Sequence, residues 1–298
     1  MAVLRLFIHL IALLALLFPA MAEAYDVLII QSSRNAAYED ALTGFRSVHR
    51  TSERLIVMSD YSEVDVVRIV REDQPRLVLA VGDSALKAAR MVRHIPVVSM
   101  MALRAAELRS SAANITGIDM QINPRAYLSL CRSMKARKVG VVYHPAKSGA
   151  YIRKARMEAE QMGIELILRE VRLPKGTPTQ LASLSGKVDA LWMLPDPFAV
   201  TRETVEAYFR FAQSEKIPVI SFAAPYLGMG AAAVIEANRV IMGKQTAELA
   251  FSLLNGASVS ATPVIPPRAA SLKSNHSILK NLGLRLPKTD SALTSLQE

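Results

Sequence analysis

Short unbroken runs of Val, Ile and Leu alternate along this chain with stretches of helical period. DVLII (26–30) is followed by a helical pattern from Ala36 to about Val48, and RLIVM (54–58) by another from Ser62 to Glu72. RLVLAV (76–81) leads through Gly82-Asp83-Ser84 into the helix ALKAARMVR, and IPVVSM (95–100) and NITGI (114–118) supply a fourth and a fifth strand. Apolar runs without polar alternation belong to strands covered on both faces, so the pattern predicts a parallel, doubly wound α/β layer.

The alternation then restarts. Asn123-Pro124 opens a helix, with Asn as cap and Pro in the first turn. KVGVVY (138–143), IELILREV (164–171), VDALWML (188–194), IPVIS (217–221) and AAAVIEA (231–237) read as strands. Helices are expected over Ser148–Met162, near Thr179–Leu184, over Thr201–Ser214, and over Asn238–Leu254 with Asn255-Gly256 as its C-cap. The tail carries Pro263, Pro266 and Pro267 and then a short helix near Ser274–Leu282. Two like cycles imply two lobes of like architecture, and IPVVSM and IPVIS occupy matching places in them. Ligands of such sheets bind beyond the carboxyl ends of the strands, which puts a site in the cleft between the lobes.

Composition narrows the classes. The chain has 298 residues, a net charge of +10 and a single Cys. A lone thiol excludes an intramolecular disulfide and a Cys-based zinc site. Residues 1–24 read as a secretory signal peptide: Arg5, an apolar run from Leu6 to Phe18, then Pro19 and small-x-small patterns over 20–24. That run is shorter than a membrane span, and no Cys lies nearby to carry a lipid. The expected mature protein is soluble and exported and begins near Tyr25. Cleavage removes Arg5 and Glu23 and leaves the net charge near +10. The basic residues are dispersed, with no basic run of the kind that enters a nucleic-acid groove. They read as a solvated surface, or as an attraction for an anionic ligand or membrane.

From residue 114 onward the chain resembles the ABC-transporter substrate-binding proteins of the tryptophan and tyrosine type. NITGI, KVGVVYHPAKSGAY (138–151), EAEQMGIELILREV (158–171), SGKVDALWMLPDPFAV (185–200), SEKIPVISF (214–222), GKQTAELAFSLLNG (243–256) and NHSILKNLGLRLP (275–287) carry the resemblance in order, joined upstream by RLVLAVGDSALKAAR (76–90) and IPVVSM. It implies a type I periplasmic-binding-protein fold with two Rossmann-like lobes, 25–121 with 238–262 and 122–237 with 263–298. It also implies a monomer that closes on a small molecule and presents it to an ABC permease and its ATPase, without a cofactor.

The turns after the strands hold the candidate ligand residues. Ser32, Ser33 and Arg34 suit a carboxylate or another polar group, against an ordinary strand–helix turn. Gly82, Asp83 and Ser84 precede a helix whose free N–H groups suit an anion, with Asp83 or Ser84 as N-cap the alternative reading. Ser99, Met100 and Met101 end the fourth strand, as an adaptable apolar wall or as core. By resemblance, Tyr143-His144-Pro145 leads into the turn Lys147-Ser148-Gly149, where Ser148 or the N–H groups after it suit a carboxylate and Tyr143 an aromatic ring, with His144 as polar surface. Asp196 stands where relatives place an acid for a ligand ammonium. Pro197, Ala223 and Ala224 depart from the polar residues of that family. Phe198, Phe222 and Tyr226 offer stacking surfaces, or core packing. Cys131 and Trp192 read as core, and Gly228-Met229-Gly230 as a turn.

No HExxH, P-loop, GxSxG or paired-His metal pattern is present, and no catalytic set assembles. The leading reading is a solute-binding component of an importer. An exported sensor of the same fold is the alternative, and a small periplasmic enzyme ranks third. The absence of a helix-turn-helix before the first strand disfavours a repressor. Mass spectrometry of the exported protein is expected to place its N-terminus near Tyr25; an intact Met1 in the exported fraction would remove the leader.

Overall fold

The computed structural model describes residues 25–286 and 293–294, apart from 104, 106–108, 110 and 111; the expected leader lies outside the described residues. The first sheet contains β1 (Val27–Gln31), β2 (Glu53–Val57), β3 (Leu77–Val81), β4 (Val97–Met100) and β5 (Ile115–Gly117). All its pairings are parallel, in the order β2-β1-β3-β4-β5. The central β1 and β3 are buried at every position, which is why their sequences carry no polar alternation. Helices α1 (Ala36–Arg46), α2 (Val66–Asp73) and α3 (Asp83–Ala89) connect these strands.

The second sheet repeats the plan. It uses α4 (Pro124–Ser133), β6 (Lys138–Tyr143), α5 (Pro145–Gln161), β7 (Glu165–Glu170), α6 (Thr177–Ala182), β8 (Ala190–Trp192), α7 (Val205–Glu215), β9 (Val219–Ser221), α8 (Pro225–Met229) and β10 (Ala233–Ala237). The parallel order β7-β6-β8-β9-β10 matches that of the first sheet strand for strand. After α9 (Arg239–Leu254), β11 (Ala269–Ser274) adds antiparallel to β10, followed by α10 (His276–Asn281) and β12 (Leu293–Thr294). The side chains of Asn35, Asn123, Asn238 and Asn275 cap four of the helices, as their positions before helical patterns predict.

Two elements differ from the sequence reading. β11 forms in the tail because the backbone of β10 offers an unpaired edge there; AASLKS has little strand pattern of its own. Gly228-Met229-Gly230, expected as a turn, is the end of the short α8 (Pro225–Met229), with Pro225 in its first turn and Gly230 closing it at φ +115°. The start of α5 also moves forward, because the ring of His144 accepts from the Ala146 N–H (3.2 Å) and Pro145 suits the first helical position.

The chain passes between the sheets three times, at 118–123, 237–238 and 266–268. Tyr151 on α5 donates to the carbonyl of Ile122 (2.6 Å) and so holds the first passage, while Tyr127 on α4 donates to that of Ile235 (2.9 Å) within β10, two residues before the second. The amide of Gln245 on α9 holds the third, donating to Pro266 O (3.0 Å) and accepting from Arg268 N (2.9 Å). Asp119 turns the first passage by accepting from Met120 N (2.7 Å), and burial raises its carboxyl above the usual range.

Helix α9 returns to the first sheet and packs on α1 at backbone distance. A Cβ on Gly44 would lie 2.0 Å from Val240 O, and one on Gly243 would lie 1.9 Å from Ala41 O. Neither position has room for a methyl group. Gly243→Ala gains about 1 kcal/mol of helix propensity but forces the helices apart, at a cost of about 3 kcal/mol. A net loss of stability of about 2 kcal/mol is expected by denaturant titration; a neutral or stabilised variant would refute the close crossing.

Candidate functional site

In the strand order of both sheets, the connections reverse direction beside the first strand, between β1 and β3 and between β6 and β8. These are the points where open α/β sheets bind ligands. At the first, Ser32 Oγ donates to Val81 O (3.0 Å) and accepts from Ala85 N (3.0 Å), capping α3 from the neighbouring strand. The Tyr38 hydroxyl lies over Gly82, where a Cβ would come within 2.4 Å of it and within 2.6 Å of Ser32 Oγ. Gly82 also holds φ +88°, so two separate constraints demand glycine there. Burial and the nearby Asp83 carboxylate raise the Tyr38 hydroxyl above its ordinary value.

At the second, Asp196 ties the two strand ends together. Its Oδ2 accepts from His144 N (2.8 Å) and Ser148 Oγ (2.6 Å), and its Oδ1 accepts from Phe198 N and Ala199 N (both 2.9 Å). Asp196 is 1% exposed. Four donors fill the capacity of a carboxylate, so this side chain is a structural knot, and no lone pair is left for a ligand ammonium. Phe198 packs above it against the His144 ring, with centroids 4.3 Å apart.

Between the lobes lies a cavity of about 290 Å³. The first lobe contributes Asn35, Ala37, Tyr38, Asp83, Met101 and Leu103 to its lining, and the second contributes Tyr127, Pro195, Phe222 and Ala223. The passages contribute Met120, Ile122 and Ala237, and the residues flanking the second of them contribute Glu236 and Arg239. Most of these residues are apolar or aromatic; of the charged ones, Glu236 and Arg239 flank the second passage and Asp83 starts α3 of the first lobe. Glu236 bonds Lys273, accepts from Ala224 N (3.2 Å) and lies 3.6 Å from Arg239, which also reaches Asp40 of α1 at 3.2 Å. The charged lining residues are two carboxylates, Asp83 and Glu236, and one guanidinium, Arg239, so the positive surplus of the whole chain is not concentrated in the cleft.

Of the residues singled out from the sequence, Asp83 and Phe222 line the cavity, and Phe222 packs edge-on against Tyr226 (5.3 Å). Ser32 and Gly82 sit behind it in the capping arrangement; Ser33 is half-buried and lends its carbonyl to Gln31, and Ser84 is exposed on α3. The methionine alternative divides. Met100 is fully buried in the core, whereas Met101 leaves the strand at φ +58° and lines the cavity. Ser99 is fully buried with its hydroxyl unpartnered, and the buried Tyr143 donates to Glu170 (3.1 Å). Ser148, Asp196 and Phe198 come together, but as the knot just described. Cys131 is fully buried, and burial pushes its thiol up to about 12. Trp192 is core, stacked on Tyr127 at 5.0 Å.

The reading of strand ends missed Asn35, Tyr38, Met120, Ile122, Tyr127, Glu236 and Arg239. One signal was present for Glu236: a lone acid inside the apolar run AAAVIEA. The others lie on helices and passages, which face the cleft only once the lobes are assembled.

Comparison with known proteins agrees with this geometry. A family model described as ABC transporter substrate binding protein matches residues 51–294. A tyrosine-binding protein of Clostridioides difficile (strain R20291) is 23% identical over 229 residues, 73% of this chain and 66% of that protein, just under two thirds of its length. The ligand-free, open structure of a substrate-binding protein with adhesive properties from Clostridium difficile has a TM-score of 0.69 at 22% identity, covering 89% of this chain and 96% of that one. An ABC domain in complex with L-Trp from Streptococcus pneumonia has a TM-score of 0.64 at 17% identity, covering 88% and 95%. At these identities the likeness concerns the fold, which is of the type I periplasmic-binding-protein kind.

Asp196→Ala leaves four donors without their acceptor, those of Ser148 and Ala199 buried and those of His144 and Phe198 half-buried. A loss of about 3 kcal/mol or more is expected in denaturant titration, with Asp196→Asn intermediate. Unchanged stability in the alanine variant would show that the knot does not hold the strand ends.

Proposed function

Since the chain belongs to the ABC transporter substrate-binding protein family, we propose that it is the exported, solute-capturing component of an importer. It takes up a small molecule between its lobes, closes by hinge motion at the three passages, and delivers the molecule to a membrane permease driven by an ATPase. In this reading it is a periplasmic monomer without a lipid anchor, and it releases its ligand unchanged. The lobes comprise 25–121 with 238–262 and 122–237 with 263–298. Because Val264 and Ile265 pack on cores of the first sheet, the last boundary moves a few residues downstream.

The observation that carries this reading is the division of the cleft into an apolar part and a charged part. Tyr38, Met101, Met120, Ile122 and Phe222 suit a flat or branched apolar group, while Glu236 and Arg239 offer one charge of each sign. A molecule with an ammonium, a carboxylate and an apolar body matches both parts, which makes an α-amino acid with an aromatic or large apolar side chain the preferred ligand. Relatives named for tyrosine binding and solved with L-Trp support the same class.

Calorimetry with purified protein is expected to show saturable binding of Tyr, Trp, Phe or Leu. Loss of the side chain, as in Ala, should cost about 2 kcal/mol, roughly thirtyfold. Glu236→Gln is expected to weaken binding about tenfold or more. Preference for polar or acidic amino acids, or turnover of any bound solute, would overturn the ligand assignment. Deleting the protein should abolish uptake of the ligand that calorimetry identifies; unchanged uptake would remove the link to transport.

A further inference from the structure

A second cavity, of about 270 Å³, opens at the far end of the second sheet, where β6, β8 and β9 begin. Met134, Ala136, Pro218, Leu282 and Leu284 make its apolar floor, and Lys135, Arg137, Lys216 and Asp189 line it with charge. The single acid is committed to the backbone: Asp189 Oδ2 accepts from Arg137 N (2.9 Å) and Lys138 N (2.8 Å). The side chains of Lys135, Arg137 and Lys216 have no carboxylate partner among the described residues. At the corresponding end of the first sheet the cation is used internally, as Arg76 pairs with Asp26 (3.0 Å) and donates to Leu254 O (2.6 Å).

The helix ends around this cavity carry a second, independent signal. Helices α5, α8, α9 and α10 are followed by left-handed glycines, Gly163, Gly230, Gly256 and Gly283. This is the residue that such a terminus favours, because it has no Cβ to strain. At α4 and α7 the same position holds Lys135 (φ 62°) and Lys216 (φ 56°), and both border the cavity. Their termini have the usual closing bonds, Ala136 N to Cys131 O (3.0 Å) and Ile217 N to Ala212 O (3.0 Å), so glycine would satisfy the backbone equally well. Gln74 ends α2 in the same conformation, away from the cavity. The two left-handed lysines thus accept backbone strain at the border of a pocket that Arg137, itself without a carboxylate partner, also lines.

We propose that this pocket binds a phosphate-type anion carried on an apolar body. The three cations take the anionic head and the Met, Pro and Leu floor takes the attached hydrocarbon. The pocket is separate from the cleft, since the two cavities share no lining residue.

Calorimetry on the full secreted chain tests the assignment with monomeric dihexanoyl phosphatidic acid, inorganic phosphate and dihexanoyl phosphatidylcholine. The phosphatidic acid is expected to bind saturably, inorganic phosphate about tenfold more weakly, and the zwitterionic lipid not to bind measurably. Arg137→Gln and the double variant Lys135→Gly/Lys216→Gly should each weaken binding about tenfold, while Arg137→Lys retains it. The double glycine variant should melt no lower than the parent, because it relieves strain; a lower melting temperature would mean that the lysines serve the helix ends. Failure of phosphatidic acid to bind, binding unmoved by the variants, or equal binding of the zwitterionic lipid would overturn the proposal. Equal affinity for inorganic phosphate would overturn the apolar part of the assignment.

Discussion

The contact on which the two-lobed arrangement depends is the crossing of α1 and α9 through Gly44 and Gly243. A chain that has completed its second sheet must return to the first if the lobes are to be joined by more than one strand. The return is secured where two helices approach so closely that carbonyl oxygens occupy the space of a side chain. Arg239, at the start of α9, then falls between Asp40 of the first lobe and Glu236 of the second. The charged end of the cleft is therefore a consequence of helix packing some distance along the same helix.

The strand-end turns have a different role from the one their residue types promise. Ser32 caps α3 and Asp196 saturates itself on four donors, so both switch points are stiffened from within. What remains for a ligand is the apolar rim of those turns together with the passages between lobes. This division suits the proposed hinge closure, with stiff lobes and a cleft lined in part by the segments that would move. Asp83, Glu236 and Arg239 are the charged residues of the cleft lining, so the positive surplus of the protein is not concentrated there. Net charge describes the solvated surface and is a poor guide to a concave site.

Much of the fold was legible in the sequence, because burial leaves a direct imprint on composition. Strands covered on both faces read as unbroken Val, Ile and Leu, and helices announce themselves by Asn caps and Gly stops. IPVVSM and IPVIS are the fourth strands of two sheets with identical order. The misread pieces, β11 and α8, are those whose conformation comes from a neighbour or from a single five-residue turn.

The candidate site was legible only in part, for a physical reason. Hydroxyls and carboxylates at strand ends bind ligands and cap helices by the same hydrogen-bond chemistry, so residue type alone does not tell Ser148 bonding Asp196 from Ser148 holding a solute. Met100 and Met101 are adjacent and chemically identical; one is core and the other cleft because the backbone turns left-handed between them. By itself the sequence determined the α/β class, the two cycles, the basic surface and the family likeness, all of which follow from local pattern and order. Only the tertiary structure decided which polar groups are already satisfied and which charges converge, because satisfaction and convergence are properties of segments brought together across the chain.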